Sequence, residues 1–336
     1  MKRTVILPKR LEVVTIILSL VIIGLAFPSC SKSSGEVSIT LGIIQAEMAT
    51  SIYVAESQHV FESNGLKLAV KNYDTGVGTV NALLNGDVDI AMAAEYPIIG
   101  PALEKQSIQI FAVNDRFEND YLMVRNDRGI NSPTDLKGKR IGVIKGTILE
   151  FYLGRYLELN GVSLKDVTIV NTENTSQTTN AIVNGDLDAV VAFQPYVNTI
   201  QTEMGSEVLT WAVQSNQLVY GVFISRSDWL KGNSDVAQRF IEALSEADDY
   251  VAAHPDTAKE ILQEKMNLDS SYVTSIWPQH QFSLSLDFSL IAAMTDEARW
   301  MISNNLTTET NLPDFSKFIY TDGLKAIKPE TVNINP

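Results

Sequence analysis

From Val37 onward the chain alternates short apolar runs with stretches of helical spacing. Val37 to Ile44 is β-branched and aliphatic, a strand composition, and Ser51 to Asn64 repeats apolar residues at the helical period until Gly65. Leu66 to Asn72 predicts a second strand and Val77 to Asn85 a second helix, closed by Gly86. Ile90 to Ala93 reads as a short buried strand, Pro97 opens a helix, and Ile108 to Asn114 is another strand. Strands and helices alternating at this spacing predict parallel β-α-β units.

The series then restarts. Tyr121 to Arg125 predicts a strand, Asn126 to Gly129 a turn, and Pro133 to Leu136 a short helical turn. Arg140 to Ile144 is a strand, and after Lys145-Gly146-Thr147 a helix runs from Ile148 to Asn160. Val167 to Val170, Gln177 to Asn184 and Ala189 to Phe193 complete a second β-α-β series. From Asn233 the chain is mainly helical: Asp235 to His254 carries Val236, Phe240, Ile241 and Leu244 on one stripe. His254-Pro255 breaks that helix, and helices through Lys265 and from Leu286 to Asn304 follow, expected to pack onto the first half.

An internal repeat points to two similar lobes. Asn81-Ala82-Leu83-Leu84-Asn85-Gly86-Asp87-Val88-Asp89 returns 99 residues later as Asn180-Ala181-Ile182-Val183-Asn184-Gly185-Asp186-Leu187-Asp188, with six of nine positions identical. That interval is far longer than the roughly 20–50 residues of a solenoid repeat and suits one copy per lobe. The residues after the repeats differ: Glu95-Tyr96-Pro97 in the first half, Gln194-Pro195-Tyr196 in the second.

The chain's start has a different character. Lys2, Arg3, Lys9 and Arg10 precede a mostly aliphatic run of fifteen residues, Val13 to Phe27. A bilayer needs about 20 apolar residues, so a basic start and a short apolar run predict a secretory signal over residues 1–29. The single cysteine, Cys30, follows it, and Ser31 to Gly35 has the composition of a linker, which spans 30–36. Leu25 to Cys30 resembles a bacterial lipobox, which implies that Cys30 is acylated and the mature chain held at the membrane, in the periplasm or at the cell surface. The formal charge is −14, and removal of residues 1–29 makes it more negative. An acidic surface argues against nucleic acid, whose affinity comes from Lys and Arg on phosphates. About 300 mature residues suggest two domains.

Three motifs occur in order: Gly76-x-Gly78 ahead of the first repeat, Asp135-Leu136-Lys137-Gly138-Lys139-Arg140-Ile141-Gly142-Val143, and Ala192-Phe193-Gln194-Pro195. With them the chain resembles, over about residues 37–305, the solute-binding proteins of the nitrate/sulfonate/bicarbonate (taurine, thiamine-precursor) ABC transporters. The resemblance implies an α/β, two-lobed type II periplasmic-binding fold, each lobe a mainly parallel sheet flanked by helices. It places two crossings, near Asn114 to Tyr121 and near Tyr220 to Ser225, so that lobe 1 comprises 37–118 and 224–336 and lobe 2 comprises 119–223. A monomer working with an ABC permease is the implied assembly.

Parallel sheets hold ligands beyond the carboxyl ends of their strands. The candidate ligand residues in those loops are Gln45, Ser51, Tyr53, Gly76, Gly78, Glu95, Tyr96, Lys145, Gly146, Thr147, Thr175, Ser176, Gln194, Tyr196 and Tyr220. Helix starts rich in Gly, Ser and Thr suit anions, while Glu47 and Glu95 suit an amine or a ring N–H. The sequence therefore leaves the sign of the ligand open, with a sulfonate-, nitrate- or taurine-like solute on one side and a pyrimidine or other amine on the other. Tyr96 and Tyr196 are expected to face each other across the cleft.

The rival class is an enzyme on the same fold. His59, His254 and His280 are the only histidines, with His280 expected in a surface turn. No nucleophile–base grouping, metal-ligand spacing or phosphate loop appears, so no catalytic residue, metal or cofactor is expected.

Overall fold

Ten strands form the framework of the computed structural model, which describes residues 36–334. The expected signal segment and Cys30 lie outside the described residues. The strands are β1 (Val37–Ile44), β2 (Leu66–Tyr73), β3 (Ile90–Ala94), β4 (Ile108–Phe117), β5 (Asp120–Arg125), β6 (Arg140–Val143), β7 (Thr168–Asn171), β8 (Ala189–Phe193), β9 (Val208–Ala212) and β10 (Val219–Arg226). They build two sheets of the same plan, β2-β1-β3-β10-β4 and β7-β6-β8-β5-β9. In each, one strand, β10 or β5, runs antiparallel to both neighbours, so the other four share a direction. This is the two-lobed α/β fold that the alternation predicts.

The chain passes to the second sheet between Phe117 and Asp120 and returns between Ala212 and Val219. The return lies upstream of the expected Tyr220 to Ser225, because Val219 to Ser225 is buried in β10, paired with β4 and, from Gly221, with β3. Residues 219–223, expected in lobe 2, therefore belong to the first sheet.

The principal helices are α1 (Thr50–Ser57), α2 (Gly76–Asn85), α3 (Ile148–Leu159), α4 (Thr175–Val183), α5 (Tyr196–Met204), α6 (Ser234–Ala253), α7 (Pro255–Met266), α8 (Ser270–Ile276) and α9 (Phe288–Ser303). The expected helix from Ser51 to Asn64 is two pieces. His59 takes a left-handed conformation (φ 56°), which His tolerates better than most side chains, and a single turn, Val60–Ser63, follows.

The repeat has a structural cause. Gly86 and Gly185 end α2 and the turn after α4 with φ of 80° and 81°, where a side chain would be strained. The last aspartates, Asp89 and Asp188, then accept the backbone N–H of Thr40 and Arg140, each at 2.8 Å. Each copy thus fastens a helix end and the following buried strand to the equivalent neighbouring strand of its own sheet, β1 or β6. The C-terminal helices pack on the first sheet, with Ser51 Oγ on α1 donating to Asp248 Oδ1 on α6 at 2.6 Å. Residues after α9 return there as well, through the Ile110–Ile319 bridge.

Candidate functional site

The carboxyl ends of both sheets meet around a cavity of about 60 Å³. Ile44, Glu47, Met48, Thr75, Gly76 and Pro97 line it from the first lobe, Ile144, Thr147, Leu149 and Phe193 from the second. Phe117, Asn119 and Asp120 close it at the first crossing. No Lys or Arg is in the lining.

Two carboxyl groups dominate this wall. Glu47 is fully buried; Tyr272 O–H on α8 donates to its Oε1 at 2.6 Å, while Oε2 has no partner among the described residues. Burial raises its pKa, against the pull of the nearby His280. Asp120 is likewise buried, with Oδ2 unpartnered, and burial pushes its pKa up to about 8. Gln214 Oε1 accepts the Asp120 N–H at 2.8 Å and fixes the backbone at this corner. Asn119 adds a third oxygen without a donor, Oδ1. The cavity wall therefore carries three polar oxygens without partners among the described residues, a costly state inside a protein until a partner arrives.

The helix ends add an opposite feature. α2 begins at Gly76, with Thr75 Oγ1 accepting the Gly78 N–H at 3.1 Å, and α3 begins at Ile148. Both starts line the cavity, one from each lobe. First-turn N–H groups lack intrahelical acceptors and carry the positive end of the helix dipole. Gly76 allows this approach, since a Cβ there would stand 3.3 Å from both Ala93 and Pro97.

Behind the wall lies a second acid pair. Tyr220 N–H donates to Glu95 Oε2 at 3.0 Å, and Glu297 of α9 stands against Glu95 with no donor to either of its oxygens. Burial pushes Glu95 up to about 8, and burial with the charge of Glu95 holds Glu297 well above its usual range. Two buried carboxyl groups facing each other disfavour each other's charge, so both keep their protons to higher pH.

The expected residues are distributed unevenly. Gly76 and Thr147 line the cavity, and Thr175 and Tyr196 line a smaller cleft that shares Ile144, Leu149 and Phe193 with it. Gln194 reaches the network from behind, its Oε1 being 3.2 Å from the Tyr272 hydroxyl. Gln45 and Ser176 are exposed, and Gly78 is occupied with the α2 cap. Ser51 bonds Asp248, and Tyr53 is buried in the first core. Lys145 is exposed on a separate surface cavity beside Trp300, and the Gly146 N–H donates to Glu150 Oε2 at 2.8 Å. Tyr220 is buried under the Arg116 guanidinium. Tyr96 and Tyr196 do not face each other. Tyr96 is wholly buried against Phe151 and Trp300, whereas Tyr196 packs on Phe193 of its own lobe.

His280 does not sit in the expected surface turn. Its side chain is wholly buried, with Nδ1 2.6 Å from Asp115 Oδ2, between the rings of Phe117 and Phe282. The segment is held inside because Gln281 exchanges backbone bonds with Arg116 along the edge of β4. Asp120 carries the weakest sequence signal of the site, an acid opening the strand Asp120–Arg125 at a crossing. Among the described residues, no three His, Cys, Asp or Glu side chains come together in a way that could hold a metal ion.

The family model described as NMT1/THI5 like matches residues 47–258. The chain belongs to that family. An inferred binding protein of Brucella abortus is 26% identical over 257 residues, covering 74% of this chain and 79% of the relative. The taurine-binding periplasmic protein of Escherichia coli is 27% identical over 207 residues, 60% of this chain and 63% of that one. Among solved structures, the alkanesulfonate-binding protein SsuA of Xanthomonas axonopodis pv. citri, bound to MOPS, superposes with a TM-score of 0.76 at 18% identity, over 86% of this chain and all of that one. That likeness shows the periplasmic-binding fold. The relatives also include an enzyme, a pyrimidine phosphate synthase of Aspergillus parasiticus, and the desulfurization enzyme DSZB shares the fold with a TM-score of 0.63.

Proposed function

We propose that this protein is the extracytoplasmic solute-binding component of an ABC importer, and that its solute is small and carries an ammonium or N–H group. The reading rests on Glu47 and Asp120, two buried carboxyl groups with unpartnered oxygens on a cavity wall without Lys or Arg. An ammonium satisfies both groups and draws them into their ionised form, whereas a bare oxyanion fits only if both carboxyls keep their protons. The α2 and α3 starts suit an anionic group at the other end of the same molecule, so a zwitterion such as taurine fits better than a plain sulfonate or nitrate. The two-crossing fold and relatives that are binding proteins support a reading in which the lobes close around solute and deliver it to a membrane permease. No step of bond-making is assigned to the cleft. Calorimetric titration with taurine, ethanesulfonate and ethylamine tests the assignment: taurine should bind at least about tenfold tighter than ethanesulfonate, a difference of about 1.4 kcal/mol. The reverse order would remove the acids from the ligand site.

The second part of the proposal is the anchor. Cys30, following the basic and apolar start, is the acylated first residue of the mature chain. Metabolic labelling with a palmitate analogue should tag the wild type and not Cys30→Ser; equal labelling of both contradicts it.

A further inference from the structure

Beside the solute cavity, aromatic rings from the two lobes meet in a close cluster. Trp300 on α9, which packs with the first lobe, lies over Gly154 on α3 of the second. A Cβ at position 154 would stand 2.0 Å from Trp300 Cζ2 and 2.7 Å from Cε2, so only glycine admits the ring there. Trp300 is buried, meets Phe151 of α3 edge-on at 5.5 Å, and approaches Tyr96 of the first lobe at 6.4 Å. Tyr96 in turn approaches Phe151 at 5.9 Å. Two rings from one lobe and one ring and a glycine notch from the other thus form a single cluster.

Three features make this contact separable. Trp300 Nε1 has no hydrogen-bond partner among the described residues, so the ring is held by packing alone. The ion pair beside it, Arg155 to Asp296 at 3.9 Å, is exposed and contributes little. A cavity of about 190 Å³, bordered by Lys145, Glu150 and Asn304, runs along the same seam, so the interface around the ring is incompletely packed. The ring also acts on the right helix. α3 starts at Ile148 and Leu149 on the solute cavity, and Gly154 follows about one and a half turns later.

The geometry points to Trp300 as a latch that needs no solute: seated on Gly154, it sets the fraction of molecules whose lobes are closed, and through that fraction the affinity of a cavity it does not touch. Trp300 is therefore a positioning residue. The solute part of this inference rests on the proposed function, but the shape of the ligand-free protein does not. Apparent affinity falls in proportion to the closed fraction, so a latch variant that lowers that fraction tenfold weakens binding tenfold.

Trp300→Ala, Gly154→Ala and the double variant test it, by small-angle X-ray scattering without solute and by taurine titration, with circular dichroism to confirm folding. Each single variant should expand the ligand-free protein and weaken taurine about tenfold. The double variant should match Trp300→Ala alone, because the added methyl group then has nothing to meet; defects that arise independently of the Trp300–Gly154 contact would add instead. Scattering that stays at the wild-type dimensions in both single variants, or additive losses in the double, overturns the latch. Expansion in both single variants with no taurine binding by the wild type supports the latch and overturns only the solute assignment.

Discussion

Glu47→Gln should cost the protein about 2–5 kcal/mol of affinity for an ammonium-bearing solute, roughly 30-fold to several thousand-fold. Glutamine keeps the size and shape of the side chain and keeps one oxygen for the Tyr272 hydroxyl. It replaces the unpartnered Oε2 with an N–H₂ donor, or loses the Tyr272 bond if the amide turns over. Either way the charge-assisted acceptor is gone, and such bonds are about twice as strong as neutral ones. The fold should not suffer, because burial already disfavours the ionised form of Glu47 and a neutral amide carries no such penalty. Asp120→Asn should act in the same direction. Calorimetry supplies the affinity and a melting curve the stability. Unchanged affinity for every amine in both variants would contradict the role of these acids, and tighter ethanesulfonate binding in the same variants would strengthen it.

Stability should fall as pH rises from about 4 to about 8, opposite to the usual acid lability. Burial raises Glu95 and Asp120 to about 8 and Asp248 to about 7, and raises Glu47 and Glu297 as well. In the unfolded chain such acids titrate near 4. Between those values the unfolded chain has released protons that the folded chain keeps, and stability then declines with pH. Their contribution is complete below about 4 and lost as pH passes through 7 to 8. On His280, burial opposes the charge but the Asp115 and Glu47 carboxylates outweigh it, so its pKa is raised too and its contribution fades above that value. Asp127, Asp135 and Asp314 are lowered and act the other way, but they are solvent-facing and contribute little. The melting temperature should be lower at pH 8.5 than at pH 5. A higher one at pH 8.5 would mean that these groups ionise freely in the folded protein.

Much of the architecture is visible in the chain because it is written locally. The β-branched runs, the glycines at helix ends and the 99-residue repeat each act within one element or between neighbours, and the structure shows the repeat fastening equivalent joints in both sheets. The position of the second crossing is not visible, because Val219 to Ser225 gains its central place only by pairing with strands more than a hundred residues earlier. The site is harder still. Loop composition brings out Gly76 and Thr147, which stand at the two helix starts lining the cavity. It does not bring out that Tyr272 caps Glu47 from 225 residues away, or that His280 buries itself against Asp115 from 165 away. Tyr96 shows the limit most plainly: the repeat locates its loop, but its ring is claimed by Trp300 and Phe151, which no periodicity places beside it.

The most direct measurement of the cleft's chemistry is the number of protons exchanged when taurine binds. Titrations at pH 7 in two buffers of different ionisation enthalpy provide it. With Asp120 near 8 in the ligand-free protein, an ammonium arriving beside it favours the ionised carboxylate, and binding should release close to one proton. Binding that takes up a proton, or exchanges none while ethanesulfonate binds as tightly as taurine, would mean that the buried acids receive a sulfonate as neutral donors, and the cleft would then be an anion site with no place for an ammonium.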